Sequence, residues 1–411
     1  MKKFINWMND KFAPAMNKIT RNVWVSAIQD SIMGAIPLIL VGSLITMISI
    51  LNVYFPSMPD LSPISSFSFG LMSIFIVFLT PYFIMEKQKK NDRKLISALT
   101  GVALFLMLLK PNIADGNISF SFERLGANGM FVALLVGLIV GIAMYFSSKM
   151  SLFKDSSSLP DFIIVWFDTI IPISILLILG WLFTFQLHFD LYAAILKIFE
   201  PLSYIGQSFG GFVLGTFICV FLYSFGISPW SLYPILFPIW VAGVDANAQN
   251  IAKGLSANNI HTFETLMGWV WIGGMGTTLP LVLLMLFAAK SKRLKAVGKV
   301  TIVPAIFNIN EPTVFGAPIV FNPILMVPMW LNGLIIPSIT YIFLNIGMVT
   351  IPSKVMQLWY LPVGISTYLV NFDFKGILLL FVNIFVSLMI WYPFFKVYDI
   401  QETKKDLIEE R

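Results

Sequence analysis

The chain has 411 residues, 57% of them hydrophobic and 12% charged, with a formal net charge of +6 and a mean hydropathy of +0.84. An average soluble domain carries about twice that charged fraction, so the composition excludes a soluble enzyme. Two histidines and a single cysteine, Cys219, leave neither an intrachain disulfide nor a structural zinc set, and no metal or cofactor is expected. Apolar runs recur from Ala27 to Phe395, which reads as an all-α polytopic membrane protein embedded in a lipid bilayer. The positive charge belongs to its cytoplasmic loops; no DNA- or RNA-binding module accompanies it, and nucleic acid is not an expected partner.

The N-terminal stretch MKKFINWMNDKFAPAMNKITRNVW interleaves Phe4, Trp7, Met8 and Phe12 with Lys2, Lys3, Lys11, Lys18 and Arg21. That pattern predicts an amphipathic helix on an anionic, cytoplasmic membrane surface. About twenty-five residues precede the first apolar run, which argues against a cleavable signal peptide. The first span follows from about Val25 to Leu51, with Pro37 as an expected kink, and its outer loop from Asn52 to Ser65 has no Lys or Arg. The second span ends at EKQKKNDRK, whose Lys87, Lys89, Lys90, Arg93 and Lys94 place this loop, and hence the N-terminus, in the cytoplasm. Runs at Leu95–Leu109, Gly129–Phe146 and Phe162–Leu187 continue the alternation. Asp168 interrupts the last of these, as a polar site residue or as a helix-end position. Leu191, Ile195, Ile198 and Phe199 then fall near helical spacing, consistent with a helix lying between two halves.

After Gly210 the character changes, with GISPWSLYPILFPIW and GWVWIGGMGTTLPL bringing in glycine and proline. Short hydrophobic segments interrupted in this way point to a transporter's binding region. The basic loop KSKRLKAVGK leads into TIVPAIFNINEPTVFGAPIVFNPILMVP, residues Thr301 to Pro328. Pro304, Pro312, Pro318 and Pro323, with Gly316, make a continuous helix there unfavourable, and the stretch carries a carboxylate, Glu311. A charge at the bilayer centre costs roughly 2.5 to 3.5 kcal/mol on insertion scales. Irregular backbone at that depth survives only where protein or a watery cavity satisfies it. Asn308, Asn310 and Glu311 therefore read as the lining of a polar-solute site; the alternative is a structural Glu311 at the membrane edge or paired with a lysine. The last span, Gly376 to Phe395, runs into a charged tail that is also cytoplasmic, so the number of crossings is even. Roughly ten transmembrane helices fit the apolar runs.

Five stretches, WVSAIQDSIMGAIPLILVGSL, LGANGMFVALLVGLIVG, WIGGMGTTLPL, FNINEPTVFGAPIVFNPIL and IWYPFFKVYD, resemble in order the lactose/cellobiose family of phosphotransferase-system (PTS) permeases, the enzyme IIC components. The resemblance spans nearly the whole chain. It implies a homodimer in the bacterial plasma membrane, with residues 1–190 as scaffold and dimerisation half, 191–208 as a connecting amphipathic helix, and 209–411 as the sugar-binding half with re-entrant hairpins. It implies a sugar substrate, phosphorylated from a phosphocysteine on a separate enzyme IIB that is itself served by enzyme IIA. Carried onto this sequence, the family's substrate-contacting glutamate falls on Glu311, the candidate catalytic base, with Asn310 beside it.

QLWYLPVGISTYL resembles the family's tryptophan segment and puts Trp359 at the sugar, although an interfacial belt position also suits a tryptophan. Where the family has Gly-Ile-His-Gly, this chain reads Gly226, Ile227, Ser228, Pro229. Ser228 keeps a hydroxyl but not an imidazole's charge or acid–base capacity. His261 is a candidate replacement, or else a solvated loop histidine. Cys219, in an apolar run, is no candidate for the phosphocysteine. The reading is a permease for a β-linked disaccharide of the cellobiose type or a related glucoside. The alternative is an ion-coupled or facilitative sugar transporter or sensor without phosphoryl transfer.

Overall fold

The structure is a computed structural model that describes residues 22–49, 57–150, 161–227 and 232–409. The expected N-terminal interfacial helix and Ser228 lie outside these residues. The chain divides into two compact units, one ending at Ser203 and the other beginning at Tyr204.

The first unit is built on α1 (Val23–Ser49), α2 (Met72–Lys87), α3 (Lys94–Leu108), α4 (Met130–Ser147) and α5 (Asp161–Trp181). A small hairpin, β1 (Asn112–Ala114) with β2 (Asn117–Ser119), joins α3 to α4 in antiparallel register, Asn112 opposite Ser119. In lipid there is no hydrophobic drive between helices, so association relies on close approach and polar contacts. Small residues supply the approach: a Cβ at Gly101 would lie 2.7 Å from the Val77 carbonyl, and one at Gly137 2.7 Å from Thr80 Cβ. Thr80 Oγ1 also donates to Ser31 Oγ at 3.1 Å.

Asp168, one of the two readings for which was a polar site residue, is held by Arg93 Nη2 at 2.9 Å with both side chains buried. It serves as the counter-ion of a loop arginine. Arg124 grips Asp190 at 2.6 Å and lies 4.6 Å over the Tyr192 ring. Burial opposes the Asp190 charge, yet hydrogen bonds from Arg124 and the Ala193 N–H hold its carboxyl below the usual range.

The boundary between units falls inside α6 (Leu191–Gln207). The second unit continues through α7 (Phe209–Tyr223), α8 (Tyr233–Ala252), α9 (Leu279–Phe287), α10 (Lys292–Ile306), the six-residue α11 (Glu311–Gly316), α12 (Pro323–Asn345) and α13 (Phe374–Glu409). Before α9 the chain makes a helical turn, Phe263–Thr265, a wider π-type turn, Leu266–Val270, and then breaks. Gly273, Gly274, Gly276 and Thr277 all take positive φ, from 54° to 98°, which only glycine adopts freely. This break falls in the WIGGMGTT stretch, one of the glycine-rich interruptions that the sequence singles out.

Its unpaired carbonyls need partners, and α13 supplies them from one face. Asn383 donates to Trp269 O at 2.9 Å, Ser387 to Thr277 O at 3.3 Å and Trp391 to Thr277 O at 3.0 Å. The spacing of 4 and 4 residues is what aligns them on a helix. At the start of α10, Asp399 accepts from the Lys290 and Ser291 N–H groups and Asp406 from Lys292 N–H, so the C-terminal helix caps the basic loop.

Six helices among the described residues are long and apolar enough to cross a membrane: Val23–Gly42, Ser62–Lys87, Met130–Ser147, Ile163–Gln186, Pro323–Asn345 and Phe374–Ile408, with α6 and α7 together as a possible seventh, broken span. The all-helical membrane architecture follows. The expected ten is not reached by this criterion, because the C-terminal unit uses short and interrupted helices that fall below it.

Candidate functional site

The site begins at the junction of α10 and α11. Pro304 near the end of α10 and Pro312 at the start of α11 prevent one continuous helix. The link between them passes through Asn308 at φ 59°, a left-handed position that asparagine tolerates. The Asn308 side chain accepts from Gly273 N–H at 2.9 Å. Asn310 donates from Nδ2 to Met275 O at 2.7 Å and accepts from the Tyr223 hydroxyl at 3.4 Å. These bonds fasten the Glu311 turn to the glycine-rich hairpin and to the end of α7. The space for them exists because residue 274 is glycine: a Cβ there would lie 2.5 Å from Asn310 Cγ.

The resulting cavity is lined by Glu311, Asn308 and Asn310 on one side, and by Trp359, Trp271, Tyr223, Tyr233 and Phe263 among its aromatic walls. Glu311 is solvent-accessible within it, and among the described residues its carboxylate has neither an ion-pair nor a hydrogen-bond partner. An ionised carboxylate accepts several hydrogen bonds and donates none. Beside flat aromatic faces it suits a ligand with vicinal hydroxyls and apolar C–H faces. Among the described residues no group of three or more His, Cys, Asp or Glu has metal-holding geometry.

Of the residues singled out from sequence, Asn308, Asn310, Glu311 and Trp359 therefore meet at one cavity. Ser228 falls outside the described residues. His261 is not in the lining: it is 1% exposed, its Nδ1 faces Gly206 O at 2.8 Å and its Nε2 accepts from Trp240 Nε1–H at 2.7 Å. Trp240 donates only, so Nδ1 carries the proton and both ring nitrogens are engaged within the protein. The loop reading of His261 as a solvated residue is equally far from this burial. Its backbone N–H and C=O are also bracketed by the Gln207 amide at 2.8 and 2.9 Å.

The phosphotransferase system EIIC family model matches residues 29–333. This chain belongs to the PTS EIIC family. The EIIC protein is 30% identical to the cellobiose-specific EIIC component of Geobacillus stearothermophilus, over 99% of this chain and 96% of that one. It is 30% identical to the lactose-specific EIICB component of Staphylococcus epidermidis over 99% of its own length, which is 72% of that longer protein. Among solved structures, the transporter ChbC, the IIC component of an N,N'-diacetylchitobiose-specific phosphotransferase system, matches with a TM-score of 0.85 and 27% identity, covering 97% of this chain and 99% of that one. EIIC proteins are integral membrane sugar permeases that work with IIB and IIA partners, and the Staphylococcus relative carries IIB on the same chain.

Trp271, Phe263 and Tyr223 also line the cavity of this EIIC protein but were not assigned a role at the sugar from the sequence. The WIGGMG glycines marked the place; nothing in the local pattern said which flanking ring turns inward. Cys219 is buried in α7. Cys219→Ser is expected to leave sugar uptake largely intact, because its hydroxyl can bond to the preceding helical turn. Uptake measured at matched membrane levels checks this; loss of transport would reassign the thiol.

Proposed function

We propose that this EIIC protein imports a β-linked disaccharide of the cellobiose type, or a related glucoside, and presents it for phosphorylation by a separate enzyme IIB. The observation that carries the reading is Glu311, a carboxylate with no partner among the described residues, in a cavity walled by aromatic rings. In the proposed step a sugar hydroxyl oxygen bonds to the phosphorus of the partner's phosphocysteine. Its proton passes to Glu311, and the phosphorus–sulfur bond breaks to release cysteine thiolate. Little covalent work falls to this chain in such a transfer; it orients the hydroxyl and the donor. Residues 209–411 act as the sugar-binding half in this reading. The first half, whose α5 leaves Trp166, Phe167, Ile170, Ile171 and Ile175 exposed, forms the scaffold and the homodimer contact.

Vesicles test the coupling. Accumulation of sugar phosphate should require phosphoenolpyruvate and the soluble PTS proteins and should ignore a protonophore. Uptake of unmodified sugar that collapses with a protonophore overturns the proposal.

The proposed orientation has both termini in the cytoplasm, with the loops Glu86–Lys94 and Lys290–Lys299 inside and Asn52–Ser65 outside. Single cysteines placed in each loop of a Cys219→Ser background should react with an impermeant maleimide on intact cells only in the third loop. Labelling of the first two alone would reverse the topology.

A further inference from the structure

We infer that Glu264 is a positioning residue for the sugar site, its buried carboxyl fixing the Trp359 wall of the cavity against the Phe263–Met267 wall. The inference rests on the sugar-permease reading above and adds to it a residue that does not itself line the cavity.

Glu264 is 0% exposed. It sits in the short turn Phe263–Thr265, whose start is fixed by Thr262 accepting from the Thr265 N–H at 3.2 Å. Its sequence neighbour Phe263, and Met267 one turn on, both face the cavity. Its own side chain points the other way, into the segment that follows α12. Glu264 Oε1 accepts from the Met356 N–H at 2.9 Å and from Gln357 Nε2 at 3.0 Å. Two residues further along, Trp359 enters the cavity lining.

The segment from Ile351 to Leu358 has almost no regular structure, so no helical or strand ladder holds it. Such backbone keeps one geometry only if side chains take up its polar groups. Two buried side chains do so here. Asn247 donates to Pro352 O at 2.8 Å, and Glu264 takes the Met356 N–H. Of the two anchors, Glu264 is the one flanked by the cavity-lining Phe263 and Met267, so it ties one wall to the other.

The anchoring is expensive, which argues that it is not incidental. A carboxyl group removed from water must recover its lost hydrogen bonds. Glu264 recovers them at Oε1 alone; Oε2 is buried with no hydrogen-bond partner among the described residues. A buried unsatisfied group of this kind is uncommon in folded proteins. An aromatic platform must lie at a fixed distance from the polar groups that receive the hydroxyls, because misplacement by about 1 Å loses most of the benefit of preorganisation.

The test is a double-mutant cycle on equilibrium binding by the purified full chain, with cellobiose, lactose and gentiobiose as probes. Glu264→Leu is expected to weaken binding of the preferred disaccharide about tenfold, as for loss of a buried hydrogen-bond anchor. In the Trp359→Ala background the same change should cost no more than about twofold, since residues acting through one another are not additive. With Glu311→Gln the losses should multiply. Glu264→Gln, which keeps an acceptor oxygen at the Oε1 position, should bind within about threefold of the parent. If the leucine variant is not monodisperse, Glu264→Asp, which withdraws the carboxyl by one methylene, runs the same cycle. Parent-like binding by the leucine or aspartate variant overturns the inference, and so does a loss that multiplies with that of Trp359→Ala. Both outcomes leave the sugar-permease reading intact. A parent chain that binds none of the three disaccharides overturns that reading instead, and this inference with it.

Discussion

Glu311→Gln is expected to weaken sugar binding by about tenfold to a hundredfold and to slow phosphoryl transfer by more. Glutamine keeps the size of the side chain and an acceptor oxygen, but not the charge. Hydrogen bonds to a charged group are worth roughly 1.5–3 kcal/mol, against about 0.5–1.5 kcal/mol for neutral ones, and each 1.4 kcal/mol is a factor of about ten. Because no protein group among those described neutralises Glu311 (the carboxylate faces a cavity rather than a lysine), the whole difference is available to the ligand. General-base assistance adds a further 10²–10⁴-fold, roughly, in rate. Binding of unphosphorylated sugar and the phosphorylation rate must be measured on the same protein at matched levels. Equal losses in both would assign Glu311 to binding alone, and parent-like values in both would make it structural. Stability should fall little, since the amide replaces a group with no internal partner among the described residues.

The membrane class, the broken segment and Glu311 were legible in the sequence for one reason. Each violates what its surroundings make cheap: long apolar runs in water, prolines in a spanning helix, a charge in hydrocarbon. Tertiary pairing was not legible. The exposed-looking Arg93 of a basic loop turns inward to meet Asp168, and nothing local distinguishes it from Lys89 or Lys90. His261 looked like a loop residue beside two asparagines, yet it is sealed by Trp240 and Gly206, contacts 21 and 55 residues away. Glu264 carries no motif, and its role depends on a segment 92 residues further on. The strict length criterion yields six or seven spans among the described residues rather than ten for a related reason. Apolar runs such as the one around Trp269 are buried by protein, and burial in a helical unit uses the same residue types as burial in lipid.

Gly274→Ala should damage the site from behind. At φ 98° a non-glycine residue is strained by about 1–3 kcal/mol, and its Cβ would lie 2.5 Å from Asn310 Cγ and 2.7 Å from Asn310 Cβ. Asn310 cannot retreat without releasing Met275 O, its partner at 2.7 Å, and it immediately precedes Glu311. Relief of the clash therefore moves the carboxylate. Sugar affinity is expected to fall more than tenfold and the thermal midpoint of the purified protein to drop. Gly347→Ala separates the two causes. Gly347 also has positive φ, 74°, but a Cβ there meets nothing within 4 Å, so this variant carries the strain without the collision. It should lose some thermal stability, less than Gly274→Ala, yet bind sugar like the parent. If Gly274→Ala binds as well as Gly347→Ala does, contact between the hairpin and Asn310 does not hold Glu311 in register, and the glycine is required only for the turn.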